Sequence, residues 1–175
     1  MPTPTQLQNI WLLSDTVLYP EAVAFIRRLI RDQECKPLPA SQVNGLLSIA
    51  EASQYDKLSE FIVHQRSRNW PPRQRDIKTF YLALEETLAN MQQRLRGDFH
   101  LIAGGRKPGQ YSAAEENELM VLLAREFIQH LIAENGLLAV QGESERRQPA
   151  KFHQQTQHNA QNSLTKPGQQ RSNRG

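Results

Sequence analysis

Residues 77–95, IKTFYLALEETLANMQQRL, carry the clearest periodic pattern in the chain. Apolar side chains recur every three or four residues over about five turns, which places them on one stripe of a helix. The polar residues between them fall on the opposite face, as in a helix that lies against a bundle core. The stripe consists of Ile77, Phe80, Tyr81, Leu84, Leu88, Met91 and Leu95. This pattern predicts one long amphipathic helix.

Segments with the same spacing precede this helix, and prolines separate them. A short helix is predicted over 6–13, and a second begins at Pro20, because proline is favoured as the first helical residue. The run Lys-Pro-Leu-Pro at 36–39 ends that second helix. A third helix is predicted from Ser41, and a fourth over 54–68 ends at the double proline that follows.

One further helix is predicted after the long one. A glycine-rich loop at 103–109 separates the two helices. Ser112 and Glu115 form a capping-box pattern, and apolar spacing over 119–131 leads to Gly136, a candidate left-handed helix end. No segment shows the alternation typical of strands. We therefore predict an all-α fold, a compact bundle of five to six helices.

The last 35 residues differ in composition from the rest of the chain. Residues 1–140 hold 15 basic and 16 acidic side chains, whereas residues 141–175 hold 6 and 2 and are rich in Gln and Asn. Such a segment buries too little apolar surface to offset the entropy lost on ordering. The sequence predicts a helical bundle domain over 1–140 and a disordered basic tail over 141–175.

Several classes of protein are disfavoured by composition. No apolar run approaches the roughly 18 residues that a bilayer span needs, so we expect no membrane association. The N-terminus lacks the charged and apolar regions of a secretory signal. A single cysteine, Cys35, is an ordinary count for a reducing compartment. We expect a cytoplasmic protein.

Candidate catalytic or metal-binding groups are scattered rather than clustered. The five histidines have no Cys or carboxylate at metal spacing beside them, and His130 is interpreted as a half-exposed bundle residue. Cys35 has no obvious base nearby. The loop around Gly104 lacks the Gly-Lys-Ser/Thr ending of a phosphate-binding loop. We expect a protein without catalytic activity, metal or cofactor.

One basic cluster stands out in an otherwise neutral body. Residues 64–78, HQRSRNWPPRQRDIK, carry five basic side chains against one acid, with a tryptophan between them on an interhelical connection. Arginines bind phosphates bidentately, and tryptophan stacks on bases. The alternative is that the tryptophan caps the bundle and the arginines pair with acids. The candidate RNA-binding residues are Arg66, Arg68, Trp70, Arg73, Arg75 and Lys78.

The order of these features resembles a known family. The stretch 38–43, LPASQV, is similar to the Leu-Thr-x-Ser-Gln-Ile signature in the small subunit of type III-A CRISPR effector complexes. A basic-aromatic stretch at 61–68, a helix opening with Phe-Tyr at 77–81 and a last helix at 119–131 follow in the family's order. Asn44 departs from the family's usual arginine.

The resemblance implies a non-catalytic subunit with a role in antiviral defence. Copies of such a subunit stack along the duplex of guide RNA and target RNA and bridge the large subunit to the backbone subunits. Their basic side chains contact RNA phosphates, whereas cleavage and signalling belong to other subunits.

Two other functions stay open at this point. The helices from Ser41 and Gln54 are joined by a short turn, as in a helix-turn-helix DNA-binding regulator, although the second opens with Gln, Tyr, Asp and Lys rather than base-reading residues. A protein-interaction adaptor is the other alternative, in which the arginines would meet acidic partners.

Overall fold

The computed structural model describes the backbone of residues 1–52, 54–95, 97–101 and 112–163. Side chains are described as far as Ser144, apart from that of Ala52. The chain divides into two units, Met1–Gly136 and Leu137–Gly175. All regular elements in the described ranges are helical, which confirms the predicted all-α bundle.

The first helical run is longer than predicted and contains two π-helical segments. Helix α1 spans Pro4–Leu13, a π segment spans Ser14–Leu18, helix α2 spans Tyr19–Arg27 and a second π segment spans Arg28–Asp32. The prediction of two separate helices, at 6–13 and from Pro20, was therefore wrong, because the helix continues without a break.

Pro20 explains both the prediction and its failure. A proline inside a helix removes one hydrogen bond, and its ring clashes with the carbonyl four residues earlier. Here the π segment precedes it, and the backbone N–H of Tyr19 donates to the carbonyl of Ser14, five residues back. A π turn is one of the ways in which a helix absorbs such a conflict without ending.

Three shorter elements and two long helices complete the described chain. Helix α3 spans Ala40–Ala52 and helix α4 spans Tyr55–Ser67, close to the predicted bounds. A single 3₁₀ turn, Pro72–Gln74, leads into helix α5, Arg75–Leu95. Helix α6 spans Ala113–Ser163. No helix in the described ranges has both the length and the apolar character needed to cross a bilayer.

The core of the first unit lies where α2, α5 and α6 meet. The ring of Phe25 lies edge-on to Phe80 at 5.6 Å and to Phe127 at 6.0 Å. Edge-to-face aromatic pairs are among the favoured ring geometries and add about 1 kcal/mol to the burial itself. The whole predicted apolar stripe of α5 is buried, which confirms that this periodic segment is the central helix of the bundle.

Polar side chains tie the helices together at their ends. Arg125 on α6 donates to the backbone carbonyls of Ala50 and Glu51, which lie in the last turn of α3 and have no partner within their own helix. Arg94 on α5 donates to both carboxylate oxygens of Glu21 on α2, at 2.8 and 2.9 Å. These contacts fix where α3 ends and how α2 and α5 meet.

The end of α6 differs from the prediction. Gly136 is helical rather than a left-handed end, and helical backbone is described through Ser163. The residues after Gly136, Leu-Leu-Ala-Val, are compatible with a continuing helix, and no proline follows at once. Side chains from 145 and backbone from 164 lie outside the described residues, so the disorder of the tail over 141–175 stays a prediction.

The start of α6 follows the predicted cap. The Ser112 hydroxyl accepts a hydrogen bond from the backbone N–H of Glu115 at 3.2 Å, which satisfies one of the free donors at the helix start. The glycine-rich loop predicted at 103–109 lies outside the described residues.

Candidate nucleic-acid interface

The Trp70 side chain packs against the C-terminal end of α4 rather than projecting into solvent. Its indole N–H donates to the backbone carbonyl of Gln65 at 2.7 Å, and the side chain is half-buried. The guanidinium carbon of Arg68 lies 4.5 Å from the ring centroid, a cation–π contact. One face of the indole is therefore covered, so the bundle-capping alternative describes part of what this tryptophan does.

Arg66 also has a partner within the bundle. Its Nε lies 2.7 Å from Oε2 of Glu85 on α5, and both side chains are about one-third exposed. The contact is close, but it lacks the alignment of a hydrogen bond, since Nε is a buried donor without a hydrogen-bond partner. Arg66 thus holds α4 against α5, and its predicted contact with phosphate stays a prediction.

The remaining predicted cations lie on the surface. Arg73, Arg75 and Lys78 are exposed, and none forms an ion pair with a residue that the structure describes. Arg75 and Lys78 stand three positions apart on α5 and so share one helix face. The positive end of the helix dipole disfavours cations in this first turn, so an anion bound there would relieve an unfavourable arrangement.

The one acid in the basic cluster, Asp76, lines the same cavity as Lys36 and Arg73. Oδ2 of Asp76 accepts a hydrogen bond from the backbone N–H of Lys36 at 3.1 Å, and the side chain is half-buried. This contact fastens the connector between the second π segment and α3, residues 33–39, to the start of α5. The carboxylate keeps its negative charge, but it forms no ion pair with Arg73, Arg75 or Lys78 among the described residues.

Lys36 is a candidate site residue that sequence reasoning missed. The structure brings it beside Arg73, and the two line a cavity of about 240 Å³ between the connector and the start of α5. Their closeness has no local sequence signal, because the segments that carry them are forty residues apart. The Lys-Pro-Leu-Pro run was interpreted as a helix break, and its exposed lysine extends the basic surface.

Asn135 was missed as well, and it holds the connector in place. Its side-chain Oδ1 accepts from the backbone N–H of Leu38 at 2.7 Å, and its Nδ2 donates to the carbonyl of Leu38 at 3.2 Å. The amide is buried and both of its polar ends are satisfied, which makes such a contact stabilising and specific.

A second polar cluster joins the first π segment to α6. The buried Ser14 hydroxyl donates to Glu126 Oε2 at 2.9 Å and lies 2.8 Å from His130 Nε2. A hydroxyl has one proton, so its donation to Glu126 requires that the histidine N–H donates to Ser14. In a hydrolytic triad the histidine withdraws the serine proton. Here the proton is directed to the carboxylate instead.

Cys35 lies within the connector and is buried. Burial, together with the nearby charge of Asp76, raises the pKa of the Cys35 thiol above its ordinary value. A raised pKa favours the thiol over the reactive thiolate. Within the described residues, no three His, Cys, Asp or Glu side chains come together as a metal site would require.

A second cavity, of about 380 Å³, lies between the start of α4 and α6 and is acidic. Asp56 accepts two hydrogen bonds from the amide of Asn117, and Glu118 pairs with the N-terminal ammonium at 2.9 Å. A helix that reads bases carries donors at its N-terminal end. The acid at the start of α4 therefore disfavours this helix as a DNA-recognition helix.

The comparison with known proteins found no match. No protein-family model, no curated protein and no solved structure matches the chain. The functional argument therefore rests on the residues and contacts of this chain.

Proposed function

We propose that this chain is a non-catalytic, RNA-binding small subunit of a type III CRISPR effector complex, with a role in antiviral defence. It contacts RNA phosphates through a basic surface made of Lys36, Arg73, Arg75 and Lys78, with Arg68 and Trp70 at its edge. The other proposed partners are the guide RNA, the target RNA, the large and backbone subunits, and further copies of the chain.

The observation that carries the RNA-binding proposal is the lack of internal partners for the exposed cations. Arg66 has Glu85, but Arg73, Arg75 and Lys78 pair with no described acid, and Asp76 is held by the connector. These three positive charges and the single carboxylate of Asp76 leave a net positive charge around the start of one helix, which attracts an anion. RNA supplies such anions as closely spaced phosphates.

A contact within the bundle supports the family part of the proposal. The phenol of Tyr81 donates to Oε1 of Gln42 at 3.2 Å. Gln42 belongs to the signature-like stretch at 38–43, and Tyr81 belongs to the Phe-Tyr pair that opens the long helix. Two separate segments of the resemblance thus meet in the fold.

A protein-interaction adaptor is the second candidate, and one observation favours it. Trp11 and Leu12 on α1 are each 64% exposed, although large apolar side chains are usually covered in a lone bundle. An adaptor would bind protein through these side chains and would show no affinity for RNA.

RNA binding is tested by fluorescence anisotropy with a labelled single-stranded RNA of about 20 nucleotides. We expect the double variant Arg75→Glu/Lys78→Glu to bind at least about tenfold more weakly, because charge reversal turns attraction to phosphate into repulsion. Arg28→Glu/Arg31→Glu is the control matched in charge, since Arg28 and Arg31 are also exposed and form no ion pair with a described residue but lie on the first helical run. Equal loss in both variants would show that net charge alone decides binding.

Membership of the complex is tested by purifying the tagged chain from its native host at moderate salt. The proposal expects larger protein subunits together with RNA of uniform length, some tens of nucleotides. Recovery of the chain with neither RNA nor partners would refute membership and favour the adaptor or the DNA-binding regulator.

A further inference from the structure

The cavity beside Arg73 combines two kinds of surface. Residues 37–39 and Ile77 supply apolar lining, Lys36 and Arg73 supply two cations, and Gln74 and Asp76 complete the lining. Its volume of about 240 Å³ is smaller than the roughly 300 Å³ at which pockets for drug-sized ligands begin. A single planar ring system suits this space better than an extended ligand.

Hydrogen bonds from other parts of the chain fix the backbone of the residues that line this cavity. Asn135 fixes both backbone polar groups of Leu38, and Asp76 fixes the backbone N–H of Lys36. Ile77 is buried on the core stripe of α5. Since residues of the chain itself hold the connector in place, a ligand would bear little of the entropy of ordering it.

We propose that this cavity receives the base of one unpaired nucleotide of the bound RNA, while the adjoining phosphates lie on Lys36 and Arg73. The apolar walls suit the face of a base, and the two cations suit the charges on either side of it. Bases within a duplex are stacked and paired, so the nucleotide that enters is an unpaired one. This inference rests on the proposed RNA-binding function and deepens it.

A free mononucleotide has the same chemistry, and the surrounding charge distinguishes the two sources. Two further exposed cations, Arg75 and Lys78, lie in the first turn of α5, outside the lining of the cavity. A surface with several consecutive cations matches a strand with several consecutive phosphates.

The test compares three probes on the full chain: a single-stranded oligouridine, the same backbone with abasic sites, and free uridine monophosphate. We expect the abasic strand to bind about tenfold more weakly than oligouridine. Gln74→Trp fills the cavity from its exposed wall and should lower oligouridine binding to the abasic level, with abasic binding unchanged. Gln93→Trp is the matched control, because Gln93 is exposed on α5 outside the cavity lining, and this variant should bind as the parent does.

A second measurement reports directly on the cavity. The methyl resonances of Ile77 should shift when oligouridine is added and stay unchanged when the abasic strand is added. Circular dichroism establishes whether Gln74→Trp and Gln93→Trp are folded.

The outcomes separate this inference from the function on which it rests. If neither strand binds the parent protein, the proposed RNA-binding function falls and the cavity proposal falls with it. Equal binding of both strands, with no Ile77 shift, overturns the cavity proposal and leaves phosphate binding in place. Saturation by uridine monophosphate at the concentration that saturates with oligouridine would overturn RNA as the source of the nucleotide.

Discussion

Tyr81 shows at the scale of one residue how the fold and the candidate site are connected. Its ring is fully buried, lies edge-on to Phe61 at 6.0 Å, and its hydroxyl donates to Gln42. Burial raises the pKa of the Tyr81 phenol above its ordinary value, and the nearby charge of Arg68 lowers it in part. A residue of the basic cluster thus acts electrostatically on the core tyrosine.

The raised pKa predicts how stability depends on alkaline pH. The folded state holds the Tyr81 proton more tightly than the unfolded chain, so this stabilisation is fully present below about pH 10 and is lost as the pH rises above it. We expect Tyr81→Phe to reduce the alkaline slope of the unfolding free energy by up to about 1.4 kcal/mol per pH unit. At neutral pH the variant should lose about 1 kcal/mol with its hydrogen bond.

Urea unfolding followed by circular dichroism, repeated between about pH 7 and about pH 11, measures both effects. Tyr19→Phe is the control, because the Tyr19 side chain is half-exposed. Parallel slopes for the parent and Tyr81→Phe would contradict this account.

At the scale of elements, periodic apolar spacing predicted the buried face of α5 correctly, whereas several helix ends were predicted wrongly. The stripe of α5 was predicted residue by residue, because every one of its apolar positions faces the core. The ends depended on tertiary contacts that spacing does not carry: Arg125 caps α3, and the π segment before Pro20 joins α1 to α2. Gly136 was expected to end a helix and lies inside one.

Gly136 allows the helical assignment to be tested. A Cβ built on Gly136 would meet nothing within 4 Å, and its φ is not positive. Gly136→Ala should therefore raise the unfolding free energy by about 0.5–1 kcal/mol, because alanine loses less backbone entropy in a helix. A left-handed helix end at this position would instead make the alanine destabilising.

The opposite substitution, alanine to glycine, can be made nearby on the same helix. Ala133 is exposed, so Ala133→Gly should lower stability by a similar amount. Thermal unfolding of both variants, with shifts of opposite sign, would establish the helix through this region.

At the scale of the whole molecule, the placement of charge matters more than its sum. The net charge is +3, and residues 1–140 are nearly balanced, yet exposed cations without an ion pair to a described residue gather at the start of α5, where Arg73 shares a cavity with Lys36. Sequence reasoning located Arg73, Arg75 and Lys78 because they are neighbours in the chain. It could not locate Lys36, nor show that Arg66 has Glu85 as a partner, because those neighbours come from tertiary packing.

Salt dependence measures how many of these cations meet phosphate. For single strands the logarithm of the binding constant falls with the logarithm of salt by about 0.7 per phosphate neutralised. We expect a slope of about −3 for four contacts, and a magnitude smaller by about 1.4 in Arg75→Gln/Lys78→Gln. Titrations between about 50 and about 200 mM salt provide the slopes. An unchanged slope in the double variant would place the phosphate contacts elsewhere.

The two hydrogen bonds between the Asn135 side chain and the Leu38 backbone have a consequence for native-state hydrogen exchange. The Leu38 amide lies in an irregular connector, where amides ordinarily exchange quickly with solvent. Its N–H is nevertheless committed to a buried side chain on α6, so exchange requires α6 to separate from the connector. The Leu38 amide should therefore exchange as slowly as amides in the core of α6, and its rate would report how often that helix leaves the bundle.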